Sequence, residues 1–388
     1  MSAILDKLLK GQNVEWLPLG EALKRTKGTS ITAGQMKELH KDNAPVKIFA
    51  GGKTFAMVNY EDIPSKDINN EPSIIVKSRG IIEFEYYDKP FSHKNEMWAY
   101  HSQNSNIAIK YVYYFLKTQE QHFQNIGSKM QMPQIATPDT DKFLIPIPPL
   151  DVQAEIVRIL DAFTAITAEL TAELTAELNM REKQYQYYRE HLLNFSGRIA
   201  EWKTLGEIGK VCMCKRILKE QTNDIGGIPF YKIGTFGKTA DAFITREIFE
   251  QYKQKYNYPK QGQVLISASG TIGRTVIFDG KDAYFQDSNI VWIEHNERLV
   301  LNKFLYYVYQ ITTWGASEGG TISRLYNDNL RKIKIPIPPL DEQKRIVNIL
   351  DKFEALTHSI TEGLPKEIAL REQQYEYYRE QLLDFPKN

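Results

Sequence analysis

Residues able to do chemistry occur along this chain, but none stands in a catalytic arrangement. Cys212 and Cys214 form a C-x-C pair with no cysteine or histidine cluster beside them. That spacing makes neither a zinc site nor a disulfide framework. His93, His101 and His122 share one stretch without ligand spacing, and read as surface or core histidines. Carboxylates are plentiful, yet none pairs for acid–base work. The chain holds no GxxxxGK(S/T) loop, no HExxH and no GxSxG. It also lacks an Asn-Pro-Pro-aromatic or Asp-Pro-Pro-aromatic tetrapeptide. Gly51-Gly52, Gly319-Gly320 and the run Ser269–Gly273 suit hairpin turns better than phosphate cradles. A non-catalytic chain, with no metal or cofactor of its own, is the expectation.

Composition agrees with a globular protein. The 388 residues are 42% hydrophobic and 25% charged, which leaves room for two to three domains. The first residues carry Asp6, Lys7 and Lys10 and no long apolar run, which predicts no secretory leader. No apolar run is long enough for a transmembrane helix, so no membrane partner is expected and the location predicted is cytoplasmic. A net charge of +1 offers little for non-specific nucleic-acid binding. The charge is uneven, however. Glu201–Lys332 has 18 basic against 14 acidic residues, whereas Asp151–Ala200 and Asp341–Asn388 are each net −3.

The elements that must position any working residue are set by an internal repeat. Ile145–Phe195 returns as Ile335–Phe385 at a constant offset of 190, with 30 of 51 positions identical. Each copy begins IPIPPLD. The prolines favour an extended linker, and Asp151 and Asp341 follow as N-caps. Apolar residues then recur at three- and four-residue steps: Ile156, Ile159, Leu160, Phe163, Ile166, Leu170, Leu174, Leu178, Tyr185, Tyr188 and Leu192. That stripe predicts a helix of roughly 65–70 Å. A helix so long needs a partner, and its own second copy is the obvious one, in a coiled coil. TAEL occurs three times over Thr167–Leu178, and such four-residue steps form a stutter. The second copy carries Gly363 and Pro365 there, which should kink or interrupt it.

The repeated unit is larger than the helix. Glu15-Trp16 with Leu19-Gly20-Glu21 returns as Glu201-Trp202 with Leu205-Gly206-Glu207. Between these marks and IPIPPLD lie two blocks with little common sequence but a common rhythm. Strands are predicted at 45–49, 54–59, 73–76 and 81–86 in the first block. In the second they are predicted at 228–233, 263–267, 275–278 and 288–294. An aromatic helix follows at 109–119 and at 303–312, then polar loops at 127–134 and 315–324. The expected fold class is α+β: two mixed α/β domains joined by two long antiparallel helices, with an internal pseudo-two-fold duplication. The expected divisions are 1–142, 143–199, 200–332 and 333–388.

The duplicated EW-x-x-LGE, IPIPPLD-x-Q-x-x-IV-x-ILD and R-E-x-Q-Y-x-YYRE-x-LL segments, with the TAEL repeats, resemble the specificity subunit of type I restriction–modification systems. The TAEL run points to its type IC branch. The resemblance covers nearly the whole chain. It implies that the variable blocks are target recognition domains, each reading one half of a bipartite site in double-stranded DNA. It implies that the helices are a spacer and the docking surface for two methyltransferase subunits, and through them for restriction subunits. The subunit would have no activity itself. The complex would methylate adenine N6, with S-adenosylmethionine, ATP and Mg2+ on the partner subunits.

Base edges call for Arg, Lys, Asn, Gln, Ser and Thr; phosphates call for Lys, Arg and hydroxyls. In the first block the candidates are Lys53, Thr54, Lys77, Ser78, Arg79, His93, Lys94, Asn95, Lys129, Gln131 and Gln134. In the second they are Thr235, Lys238, Ser267, Ser269, Thr271, Arg274, Ser288, Asn289, Thr321, Ser323 and Arg324. For partner docking the outward members of the repeated segment are Tyr187, Arg189, Tyr377 and Arg379. A rival reading stays open at this point: a coiled-coil scaffold whose two domains bind protein. Salt-dependent duplex binding separates the two.

Overall fold

The structure is a computed structural model that describes residues 2–128, 132–315, 324–358 and 363–386. The chain forms two compact units. One comprises Met1–Leu174 with Glu367–Asn388, the other Thr175–Lys366. Each unit therefore combines one variable block with helical stretches from both repeats.

IPIPP is a strand and not a linker. Leu144–Ile147 pairs antiparallel with Glu15–Pro18, Trp16 opposite Pro146. Lys334–Ile337 pairs likewise with Glu201–Thr204, Trp202 opposite Pro336. Proline is admitted because the sheet has only two strands, so missing N–H groups cost no ladder on the outer side. The chain then turns directly into the helices Leu150–Leu193 and Leu340–His358. Asp151 and Asp341 lie inside the first turn and so are not the N-caps. The amides of Val152 and Gln153 bond to the Pro149 carbonyl. A carboxylate there still meets the positive end of the helix dipole.

The two variable blocks have one topology. In the first unit a four-stranded sheet runs in the order Lys24–Arg25, Trp98–His101, Ser73–Lys77, Glu83–Tyr87. In the second the order is Gly209–Cys212, Ile290–His295, Val264–Ser267, Thr275–Ile277. Each unit adds a three-stranded sheet with a parallel pair: Val46–Phe49 with Phe91–His93, and Ile228–Tyr231 with Tyr284–Phe285. The aromatic helices Ile109–Thr118 and Asn302–Ile311 pack beneath the larger sheets, burying Tyr111 and Tyr114, and Phe304 and Tyr307.

Within each unit two helical stretches run antiparallel. In the first, Phe163 stacks on Tyr378 at 5.2 Å and the Thr164 hydroxyl donates to Tyr375 at 3.1 Å. Val152, Ile156 and Leu160 share a core with Leu382, Leu383 and Phe385 from the helix Leu364–Leu383 and its exit. The N-terminal helix Ala3–Leu9 joins that core through Leu5 and Leu9, and the Ser2 hydroxyl bonds to the Gln381 carbonyl. In the second unit, Tyr188 stacks on Phe353 at 5.3 Å, and Leu192, Leu193 and Phe195 pack with Ile346 and Leu350. No residue of the long helix between Leu160 and Tyr185 is fully buried, the TAEL leucines being half-buried. Gly363, at φ +113°, separates the two helices of the second repeat; residues 359–362 lie outside the described ones. Among the described residues no helix is long and apolar enough to cross a membrane.

This shared core makes a prediction. Leu382→Ala should cost the first unit about 2–5 kcal/mol, read by denaturant unfolding, because Leu382 is 2% exposed. Tyr377→Ala, on the same helix but 56% exposed, should stay within about 0.5 kcal/mol of wild type.

Candidate nucleic-acid interface

In each unit the turn after the central strand is tied to the loop that closes the block. Arg79 forms a backbone bridge with Gln134, and Ser269 forms one with Arg324. Both residues of the second bridge lie 190 positions beyond those of the first, the offset of the helical repeat. The first bridge is braced by Gly80 N–H to the Pro133 carbonyl (2.9 Å) and Ile135 N–H to the Ser78 carbonyl (3.0 Å). The second is braced by Leu325 N–H to the Ala268 carbonyl (2.8 Å) and Ala268 N–H to the Asn289 carbonyl (2.7 Å). Two unrelated sequences thus present a hairpin turn, a closing loop and a strand-to-strand turn in one arrangement.

The candidates of the first block fall into two groups. Arg79 and Asn95 are exposed, Lys94 and Gln134 half-buried. Lys94 pairs with Glu96 at 2.8 Å and lines a groove with Thr54 and Phe55 at the next hairpin, where Lys53 is exposed. The rest support the scaffold. The Ser78 side chain is buried and donates to the Glu96 carbonyl at 3.1 Å. Lys77 bonds Glu83 at 2.7 Å and Glu85 at 2.8 Å. Burial works against its charge, but the two carboxylates prevail and its pKa is raised. His93 is 1% exposed. Its Nδ1 lies 3.0 Å from the Lys94 carbonyl and its Nε2 2.8 Å from Thr26 Oγ1. Burial lowers its pKa, so the ring is a neutral core group. A Cβ on Gly28 would come within 2.5 Å of the His93 carbonyl, which explains the glycine. Lys129 and Gln131 lie outside the described residues.

The second block divides similarly. Ser267 is buried; its hydroxyl donates to the Thr271 carbonyl and accepts from the Arg274 amide at 2.8 Å, which closes the turn. The Ser269 hydroxyl donates to Asn289 Oδ1 at 2.8 Å. The Arg274 guanidinium donates to the Phe236 carbonyl at 3.0 Å. Thr235 accepts from the Lys232 amide at 3.2 Å. Thr271 and Lys238 are exposed, and Lys238 borders a groove lined by Tyr231, Phe278 and Phe285. Ser288 holds a left-handed backbone at φ +58°. The Arg324 guanidinium lies 5.9 Å from the Tyr326 ring centre. Ser288, Asn289 and Arg324 line one cleft with Arg216, Lys219 and Lys232. The first two of these basic residues lie in a stretch with no apolar period, and Lys232 lies at the end of a strand, so none carries a sequence signal for contact. Thr321 and Ser323 lie outside the described residues.

Each block is fixed to its helix by the same buried contacts. Gln153 and Gln343 are both 0% exposed. The first accepts from the Ala108 amide (2.9 Å) and donates to the Pro148 and Asn106 carbonyls (2.7 and 2.9 Å). The second accepts from Leu301 (2.9 Å) and donates to Pro338 and Leu299 (2.9 and 3.0 Å). Asp161 receives Lys110 and Tyr114; Asp351 receives Lys303 and Tyr307. Burial and these carboxylates push the two tyrosine pKa values far up. The glutamines stood in the repeated IPIPPLD-x-Q motif, but their role as clamps had no signal in spacing.

Of the docking candidates, Tyr187 is 62% and Tyr377 56% exposed. Arg189 and Arg379 do not face outward as expected. Their guanidinium groups lie over Tyr185 and Tyr375 at 5.3 and 5.4 Å, and Arg189 donates to Gln310 at 3.1 Å. Residues four apart share a helix face, so these arginines follow the inward tyrosines. Cys212 and Cys214 are buried free thiols; burial pushes Cys214 up to about 12. Among the described residues no His, Cys, Asp and Glu group is placed to hold a metal.

The profile of the type I restriction modification DNA specificity domain matches residues 25–180 and again 200–370. A putative type I restriction enzyme specificity subunit of Haemophilus influenzae is 48% identical over 392 residues, covering 98% of each chain. The EcoR124I/EcoR124II specificity subunit of Escherichia coli is 36% identical, covering 99% of this chain and 97% of its own. Among solved structures, a chain from work on complex assembly and conformational transition of the type I R-M system covers 96% of this chain and 98% of its own. Its TM-score is 0.64 at 17% identity. The HsdS subunit from Thermoanaerobacter tengcongensis covers 96% of each chain, with a TM-score of 0.53 at 17% identity. These last two bear on fold alone.

The His93 environment is open to test. Its ring should stay neutral through the ordinary histidine range near pH ~6.5 and titrate only at lower pH, as seen by magnetic resonance of the ring carbons. With the folded pKa below the unfolded one, the unfolded chain binds more protons as pH falls under that range. Acidification should therefore destabilise the first unit. A ring titrating at the ordinary value would exclude this.

Proposed function

The chain belongs to the type I restriction–modification DNA specificity family, and from that premise we propose how its two domains and helices divide the work. Specificity subunits are non-catalytic and act on DNA within a complex. Sequence-specific DNA recognition is the function of this chain. The finer reading is that each domain reads one half of a bipartite duplex site. The helices set the gap between halves and dock two methyltransferase subunits, with restriction subunits joining through those. The complex so formed is an adenine-N6 methyltransferase and endonuclease of the type IC kind, working in the cytoplasm. S-adenosylmethionine, ATP and Mg2+ are assigned to the partner subunits. Methylation needs the target adenine out of the stack, which falls to the enzyme subunits. This chain's share is position.

One observation supports this reading best. Two domains of unlike sequence keep the same strand order, the same parallel pair and bridges at the same 190-residue offset. Such a pattern suits a fixed frame that presents different side chains to different base sequences. Exposed Arg79 and half-buried Gln134 in the first unit, and half-buried Arg324 and Asn289 in the second, are of the types that read base edges. The rival scaffold reading has no such feature in its favour.

The spacer role gives a direct test. Four residues of helix span about 6 Å and a base pair about 3.4 Å. Deleting Thr171–Leu174 should shorten the gap by one or two base pairs and leave both half-sites unchanged. Sequencing methylated adenines in cells carrying the deletion decides it. A changed half-site, or an unchanged gap with full methylation, would refute the ruler role of TAEL.

A further inference from the structure

We propose that Arg216 reads a guanine in the half-site of the second domain, and that Asp287 holds it in place to do so. The proposal deepens the function given above and rests on it. Arg216 follows the edge strand Gly209–Cys212, in a stretch without regular structure. Its Nε donates to Asp287 Oδ2 at 2.9 Å. The Arg216 side chain is 66% exposed, whereas that of Asp287 is 16% exposed. The carboxylate is thus covered and the guanidinium turned to solvent. Among the described residues no hydrogen bond engages the terminal nitrogens of Arg216.

That arrangement favours a base edge over a phosphate. An ion pair has little net charge to offer a phosphate, and Asp287 would repel one. Guanine N7 and O6 are neutral acceptors spaced to meet a planar fork. Fixing Nε leaves the two terminal groups aimed as a rigid unit, so little side-chain freedom is lost on contact. The anchor is itself anchored. Asp287 begins a tight turn in which the Asn289 amide bonds to its carbonyl at 2.7 Å, and the Ser288 hydroxyl lies 3.4 Å from its Oδ2. Ser288 takes a left-handed backbone there, which non-glycine residues seldom adopt. The same cleft holds Asn289 and Arg324, already candidates for base reading. The corresponding turn of the first domain, after its parallel strand Phe91–His93, carries Lys94 paired with Glu96. That turn matches the one carrying Asp287; the segment matching that of Arg216, Thr26–Thr32 after the edge strand Lys24–Arg25, holds Lys27 and no arginine, so this guanine contact belongs to one half-site alone.

The test uses the full subunit assembled with its methyltransferase subunits, and reads which sites are methylated. In wild type, one half-site must contain a guanine–cytosine pair. Arg216→Ala and Arg216→Lys should each lose preference at a single such pair by at least about tenfold, with every other position and the other half-site unchanged. Asp287→Asn, which keeps the size but frees Nε, should relax the same pair by less. If Arg216→Ala fails to assemble, the charge-preserving lysine variant carries the test. Base preference intact at all positions, whether methylation is uniformly weaker or unchanged, overturns the proposal; so does relaxation at several positions. A wild-type assembly with no sequence preference would defeat the specificity reading itself, which is a different result.

Discussion

An apolar stripe on a helix has to be covered, and in this chain each repeat supplies the cover for the other. Val152, Ile156 and Leu160 of the first repeat close against Leu382, Leu383 and Phe385 of the second. Leu192, Leu193 and Phe195 of the first close against Ile346 and Leu350 of the second. Each core also takes in the aromatic helix of its own block, and the other repeat completes it. Every other feature hangs on this exchange. The proline-bearing strands lead into it, and the buried glutamines Gln153 and Gln343 tie the sheets to it.

The glutamine clamps show how a variable domain can sit on a constant stem. Each donates to the carbonyl of the fourth residue of IPIPP and to a loop carbonyl of the block it carries, while accepting one amide from the start of the aromatic helix. These are backbone partners, so the block's side chains are free to differ. The Lys–Asp and Tyr–Asp contacts need only two residues of each aromatic helix, Lys110 and Tyr114 or Lys303 and Tyr307. Fully bonded buried polar groups of this kind fix geometry, and a partly bonded one would be costly. A block can thereby change its sequence while its seat on the helix stays the same.

How much of this could be read beforehand follows the strength of the local signals. The long helix and the strands at Val46–Phe49, Ser73–Lys77 and Val264–Ser267 fell where periodicity and turns placed them. Phe91–His93 and Trp98–His101 went unseen, because strands buried on both faces show no alternation. The helix Arg246–Lys255 went unseen because it buries only Phe249. IPIPP reads as a linker until its partner strand is known, since proline argues against sheets in general. Arg189 and Arg379 read as outward members of their helices, but each shares a face with the tyrosine four residues before it and lies over that ring. Of the candidate interface, the turns are legible in the sequence and the division between exposed and buried members is not. Ser78, His93 and Ser267 have the right chemistry for contact but are used inside.

The first unit takes its last core residues from the far end of the chain, and that has a consequence for synthesis. Leu5 and Leu9 emerge from the ribosome long before Leu382, Leu383 and Phe385 exist. The second unit is one continuous segment, Thr175–Lys366. The part made later can therefore complete its fold first, while the part made earlier waits with apolar surface uncovered. Closing so long a chain loop adds only a slowly growing entropy cost, but the waiting state is the aggregation-prone one. For a chain whose first unit closes only when its last helix is made, the vulnerable moment is birth, not service.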